Sequence, residues 1–170
     1  VRVQRNHVFG SNGLCAFIPE DKIDYYLALL CSRVSYHILS KLNPTLAFQK
    51  GTIDCLPIKY LPNERIKFLA KKNSEMSLYG WLKNETSWDF KKNELVRLKI
   101  EHDNFVPEDG QVVDLANSKL LSVACQTYYD YWHEQFFMLH ENEEELNRQF
   151  IEIYGLQDEL TPDVPLEDIT

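Results

Sequence analysis

Within a short stretch of the sequence, Asn43, Thr45, Gln49 and Lys50 each carry a side chain that can hydrogen-bond a phosphate oxygen or a base edge. Arg33 and Lys41 lie just upstream and add the positive charge that contact with a phosphate backbone requires. These six residues are the candidate DNA contacts. They also have a local reading, because Asn and Thr side chains cap the backbone of their own loops. The sequence leaves both readings open.

Other chemistry has less to stand on. Nucleophilic catalysis needs Ser or Cys beside a His and an orienting acid. His7, His37, His102, His133 and His140 fall in no such signature. His133 and His140 share a helical face but lie two turns apart, too far to ligate one metal, so no metal site is predicted. Glu141, Glu143, Glu144 and Glu145 read as a solvated face or an acidic interaction patch rather than as an acid/base pair. Gly10 and Gly13 lack the strand, loop and helix context of a phosphate-cradling turn. Trp81, Trp88 and Trp132 could stack unpaired bases, but anchoring a core or an interface is the stronger expectation. No catalytic or cofactor-binding residue is assigned.

With 170 residues, 44% of them apolar and 26% charged, the composition is that of an ordinary globular chain with enough material for a core. The first residue is Val1 rather than Met, and the expectation is a fragment of something longer. No run approaches a membrane span, and no signal peptide is evident. Cys15, Cys31, Cys55 and Cys125 are widely spaced, which predicts free thiols in a reducing cytoplasm. The net charge of −8 is unevenly distributed: residues 1–60 hold 7 Lys/Arg against 4 Asp/Glu, and residues 111–170 hold 2 against 13. Any surface that meets phosphate therefore belongs to the first sixty residues, and the acidic third suits protein contacts.

Several elements must position these residues. Residues 1–18 alternate loosely around Gly10-Ser11-Asn12-Gly13, which predicts two short strands joined by a turn. A helix is expected over residues 21–42, with Asp21 as N-cap and Ile23, Leu27, Leu30, Val34, Ile38 and Leu42 as its apolar stripe. Asn43-Pro44 ends it. Leu56-Pro57-Ile58 reads as an edge strand, and residues 63–72 as a second helix. Apolar residues then step by threes and fours from Leu121 to Ile153, which predicts one helix over 113–154, or two meeting near residues 141–145, ending at Gly155. The acidic, proline-bearing tail over 157–170 is expected to be poorly ordered.

The segment 41–58 resembles the Leu-Asn-Pro-Thr-Leu-Asn-Phe-Gln-x-Gly-Asp-Ile-x-x-Leu-Pro-Ile signature in the C-terminal half of large adenine-specific DNA methyltransferases of the BREX phage-exclusion and restriction-modification type. Glu85-Thr86-Ser87-Trp88-Asp89-Phe90 is similar to a further block of that family, and residues 141–156 with Leu160-Thr161-Pro162 are similar to its terminal helix. Ala47 departs from the family's frequent Asn, and Thr52 falls where the family has its Gly-Asp-Ile step. The catalytic Asn-Pro-Pro-Tyr and the glycine-bearing S-adenosylmethionine loop are absent, and Asn43-Pro44-Thr45 lacks the aromatic that would stack a flipped adenine.

The reading is an α+β fold, mostly helical, with a small N-terminal β-sheet packed on an amphipathic helix and a long C-terminal helix or helical hairpin. Residues 1–60 would close a target-recognition region, 61–112 form a mixed connector, 113–156 a long amphipathic segment and 157–170 the tail. The resemblance implies a non-catalytic DNA-recognition and scaffolding part of an enzyme that uses S-adenosylmethionine elsewhere. It also implies double-stranded DNA as partner. The rival reading is a protein-interaction module whose long helix docks a partner subunit or a second copy without touching DNA.

Overall fold

The computed structural model describes residues 15–45, 48–61, 63–96 and 118–169, with the backbone alone for 118–121, 123 and 124. The described residues are helical: α1 (Ile23–Cys31), α2 (Arg33–Leu42), α3 (Lys50–Asp54), α4 (Glu64–Lys83) and α5 (Ser118–Tyr154), with short 3₁₀ turns at Glu20–Lys22 and Leu166–Asp168. Among them there is no strand and no sheet, so the expected α+β class with an N-terminal sheet is corrected. Most of the predicted hairpin, residues 1–14, lies outside the described residues, and 15–18 carry no regular structure.

The predicted edge strand at residues 56–58 is corrected too, for a visible reason. Among the described residues no strand lies beside this segment, and tyrosine hydroxyls serve its backbone at Pro57 and just beyond it at Lys59 and Leu61. Tyr154 Oη donates to Pro57 O (2.6 Å) and accepts from Lys59 N (3.2 Å). Tyr25 Oη donates to Lys59 O (2.6 Å) and accepts from Leu61 N (3.4 Å).

The single helix expected over 21–42 is two helices. Ser32 leaves the helical region (φ −74°, ψ 155°) and caps α2, its Oγ accepting from Ser35 N (3.3 Å). Ser32 and Ser35 hydroxyls both donate to Leu29 O, which closes the break without a buried unpaired hydroxyl. The interruption resets the helical phase. Tyr25, Ala28 and Leu29 are buried on α1 and Val34, Ser35 and Leu39 on α2, while Leu42 of the predicted stripe is exposed. Asp21 sits within the 3₁₀ turn and is not the cap of α1.

Asn63 starts α4 as predicted, its Oδ1 accepting from Arg65 N (2.9 Å) and Ile66 N (3.3 Å), but the helix runs on to Lys83. Helix α5 is one continuous element of 37 residues. It stops at Gly155, whose φ of +71° is the left-handed conformation that favours glycine after a helix end. Leu156 N donates to Ile151 O (3.0 Å), which satisfies a carbonyl of the last turn.

The chain divides into two compact units. The first combines the residues up to Asn73 with His140–Ile169. Its core holds Tyr25, Ala28, Leu29, Val34, Ile66, Leu69, Ala70, Leu146, Phe150 and Ile151. Tyr25 and Phe150, both 0% exposed, meet edge to face at 5.5 Å between centroids. The tail belongs to this unit and is ordered, contrary to expectation. Val164 N donates to Glu144 Oε1 (3.2 Å), His140 Nε2 bonds Val164 O (2.8 Å) and Asn147 Nδ2 donates to Pro162 O (3.3 Å). Leu160 packs against the core and Ile169 is buried. An acidic composition did not prevent order, because a few apolar residues and three polar anchors hold the segment.

The second unit comprises Ser74–Leu139. Its described packing is aromatic. Tyr79 stacks on Trp132 at 5.9 Å, Trp132 meets Tyr131 and Tyr128, and the indole lies beside Gly80. A buried acid, Glu94, takes Lys83 Nζ on one oxygen (2.5 Å) and the Tyr79 hydroxyl on the other (3.1 Å).

Candidate nucleic-acid interface

All six predicted contact residues fall in the first unit. Arg33 and Lys41 lie on α2, eight residues apart, with His37 midway. Spacing of four residues keeps Arg33, His37 and Lys41 along one side of the helix, successive side chains rising about 6 Å. Arg33 also opens α2, where its backbone N–H donates to Asn147 Oδ1 (2.9 Å) of α5. That bond, with Asn147 Nδ2 on Pro162, ties the start of the helix to α5 and the tail.

Asn43 ends α2 with an extended backbone (φ −143°, ψ 100°) and its N–H returned to Leu39 O (2.9 Å). Its Oδ1 accepts from both Thr45 N (3.1 Å) and Thr45 Oγ1 (2.7 Å). The local-capping reading of these two residues is therefore realised, and it fixes the loop that leaves the helix. Phe48 meets Tyr36 of α2 edge to face at 6.3 Å, a second attachment. Gln49 is the N-cap of α3 by its backbone, its carbonyl accepting from Thr52 N (3.0 Å) and Ile53 N (3.1 Å), and its side chain makes no capping bond. Lys50 pairs with Asp54 one turn on, both exposed. Leu56 is buried and ends the loop.

The cations are thus not idle. Lys41 Nζ lies 3.2 Å from Glu159 Oε2, and His37 Nε2 lies 3.3 Å from the same oxygen. The Lys41 hydrogen bond, followed by that of His37, holds the Glu159 carboxyl below its ordinary range. Exposed pairs of this kind contribute little net stability, so neither Lys41 nor Lys50 is committed to its partner. Ile38, Leu42, Tyr154 and Leu156 join His37, Lys41 and Glu159 around an open groove of about 310 Å³. Sequence reasoning missed His37 and Glu159. The four-residue spacing from Arg33 to Lys41 could have found His37; no local pattern announces Glu159.

The remaining candidates are accounted for structurally. His133 lies between Tyr129 and Phe137 on α5, at 5.7 Å and 4.7 Å between ring centroids, and His7 and His102 are outside the described residues. Glu144 and Glu145 bond Val164 N and the Arg148 and Gln149 side chains, and burial pushes the Glu143 carboxyl up. Trp132 is packed, whereas Trp88 is 97% exposed on a turn and anchors no core. None of the four cysteines is in a disulfide, and all four are exposed. No cluster of His, Cys, Asp and Glu among the described residues could hold a metal ion, and no helix there is long and apolar enough to cross a membrane.

The kinship of a helical assembly with a basic side of α2 and a fixed polar loop comes from its sequence. The chain is homologous to a segment of adenine-specific methyltransferases, as the resemblance predicted. It is 30% identical over 164 residues to the adenine-specific methyltransferase PglX of Lacticaseibacillus casei (strain Zhang), an overlap of 96% of this chain and 13% of that protein. It is 33% identical over 98 residues to the adenine-specific methyltransferase BrxX of Escherichia coli O9:H4 (strain HS), covering 56% of this chain and 8% of that protein. The chain thus corresponds to a small share of either relative's length. No family model and no solved structure matches it.

Proposed function

We propose that this chain is a non-catalytic, DNA-contacting and scaffolding part of an adenine-specific methyltransferase that serves phage exclusion or restriction-modification. The observation that carries the reading is similarity to one such methyltransferase along nearly the whole chain. Arg33, Lys41 and Lys50 would meet backbone phosphates, and Gln49, with Asn43 and Thr45 shaping the loop, would lie against the duplex. Double-stranded DNA is the partner. The pairing of Lys41 and Lys50 with exposed carboxylates does not oppose this, since counterion release on phosphate contact outweighs a solvent-screened pair.

The methyl group would come from S-adenosylmethionine bound elsewhere in the whole protein. The described glycines here do not fit that cofactor's cradle: Gly51 lies inside α3, Gly80 inside α4 and Gly155 behind α5. None follows a strand. No step of methyl transfer is therefore assigned to these residues.

In the whole protein carrying this chain, Gln49→Ala with Lys50→Ala is expected to weaken duplex binding at matched salt, and the log–log salt slope to fall by about one for the lost lysine. Unchanged affinity would overturn the DNA reading. The second reading, a protein-docking module, is favoured by the exposed Tyr129 and Phe137 on α5. Capture of a partner subunit together with indifference to duplex at low salt would select it.

A further inference from the structure

Glu159 is held in place by more than its ion pairs. Its N–H donates to Leu156 O (3.0 Å), Leu160 N donates to the same carbonyl (3.0 Å), and Leu160 is packed against the core. The segment beyond is anchored through Asn147, Glu144 and His140. A fixed backbone thus delivers one carboxylate to the side of α2.

Two donors one helical turn apart, His37 Nε2 and Lys41 Nζ, converge there on a single oxygen at 3.3 Å and 3.2 Å. Convergence of an imidazole and an ammonium on one oxygen is the geometry that a phosphate oxygen also takes. The apolar lining from Ile38, Leu42, Tyr154 and Leu156 gives the site a floor suited to a sugar face beside the charge. The site is accessible: the side chains of Lys41 and Glu159 are 63% and 53% exposed, and that of His37 is 23% exposed.

We propose that His37 and Lys41 form a phosphate-binding site for the DNA backbone and that Glu159 is its built-in competitor, which a phosphate displaces on binding. This rests on the DNA reading above and adds two residues to it. Glu159 sets a threshold. It lowers affinity for any duplex that does not supply enough other contacts to displace it, and so disfavours loose, non-specific association.

The test is duplex binding by the whole protein over a salt series, with Glu159→Gln, Lys41→Ala and the double variant His37→Ala/Glu159→Gln. A phosphate contact changes affinity by roughly threefold over a fourfold range of salt, so Glu159→Gln is expected to bind about three- to tenfold tighter at low salt, with a steeper slope. Glu159→Ala should do the same, and an unchanged melting curve for each variant shows that the fold is intact. Removing His37 in the Glu159→Gln background should take back part of the gain. If Lys41→Ala weakens binding while both Glu159 variants bind as the parent does or worse, the competitor proposal is overturned and the DNA reading stands. If Lys41→Ala has no effect, the phosphate site falls with the contact it assumed. Titration of Glu159→Gln with inorganic phosphate at constant ionic strength separates the two sources of the same chemistry. Saturable uptake of free phosphate without a gain in DNA affinity overturns the proposal.

Discussion

The two units of this chain differ in what fills their interiors, although both leave large apolar side chains exposed, Phe17, Tyr36, Phe68 and Leu166 among those of the first. The first buries Tyr25, Leu29, Val34, Ile66, Leu69 and Phe150 completely or nearly so. The second, among its described residues, leaves Leu78, Trp81, Trp88, Tyr129, Tyr131 and Phe137 substantially exposed and buries the polar Ser87 and Glu94. Burial of these apolar side chains stabilises the first unit, whereas the described packing of the second is mainly ring against ring. The turn bearing Trp88 is held by side-chain hydrogen bonds. Asn84 Oδ1 accepts from Thr86 N (3.0 Å) and Oγ1 (2.8 Å), Ser87 Oγ accepts from Asp89 N (3.2 Å), and Asn93 Nδ2 donates to Glu85 Oε1 (3.0 Å). Backbone order and side-chain exposure coexist there.

The comparison can be broken most directly at Phe150. Phe150→Ala removes a fully buried ring from the first unit's centre and is expected to cost about 3–5 kcal/mol in denaturant unfolding. A loss below about 1 kcal/mol would show that the first unit is not stabilised by this core.

Asn147→Ala comes next. It strips the acceptor from Arg33 N–H and the donor from Pro162 O, and a loss of about 1–3 kcal/mol is expected, with increased amide exchange at Arg33. Retained protection at Arg33 would mean the tail and α2 do not depend on this link.

In the second unit, hydrogen bonding to Glu94 raises the Lys83 ammonium above its ordinary value. A raised lysine contributes stability fully present below the unfolded value and lost as pH rises through the folded one. Melting followed through Trp132 should therefore show this contribution intact at neutral pH and declining only in the strongly alkaline range. Glu94→Gln should remove that alkaline component, and an identical alkaline profile in the variant would remove the pair from the account.

The smallest expected effect is that of Trp88→Ala, within about 0.5 kcal/mol, because the indole is 97% exposed. A clear destabilisation would erase the contrast between the units.

Much of the helical content was legible. The three- and four-residue apolar spacing located α5, Asn63 and Gly155 marked helix ends, and Asn43-Pro44 stopped α2. The serine break at residue 32 was not legible, because serine is compatible with a helix interior and only its φ and ψ reveal the cap. The Leu-Pro-Ile segment read as strand because its composition suits extended backbone. Whether it pairs depends on a neighbour; among the described residues none is a strand, and Pro57 O accepts from the Tyr154 hydroxyl instead. Of the proposed contacts, the sequence reading named the loop and two α2 cations but not His37, which shares their four-residue spacing on one helix.

By itself, the sequence determined the helical periods, the uneven charge and the kinship with adenine-specific methyltransferases, all of which reside in residue order. Tertiary structure alone decided that Glu159 meets Lys41 and His37 across more than a hundred residues, and that the acidic tail is anchored rather than loose. Such pairings depend on where α5 ends and how the chain turns back at Gly155, and long-range packing sets both.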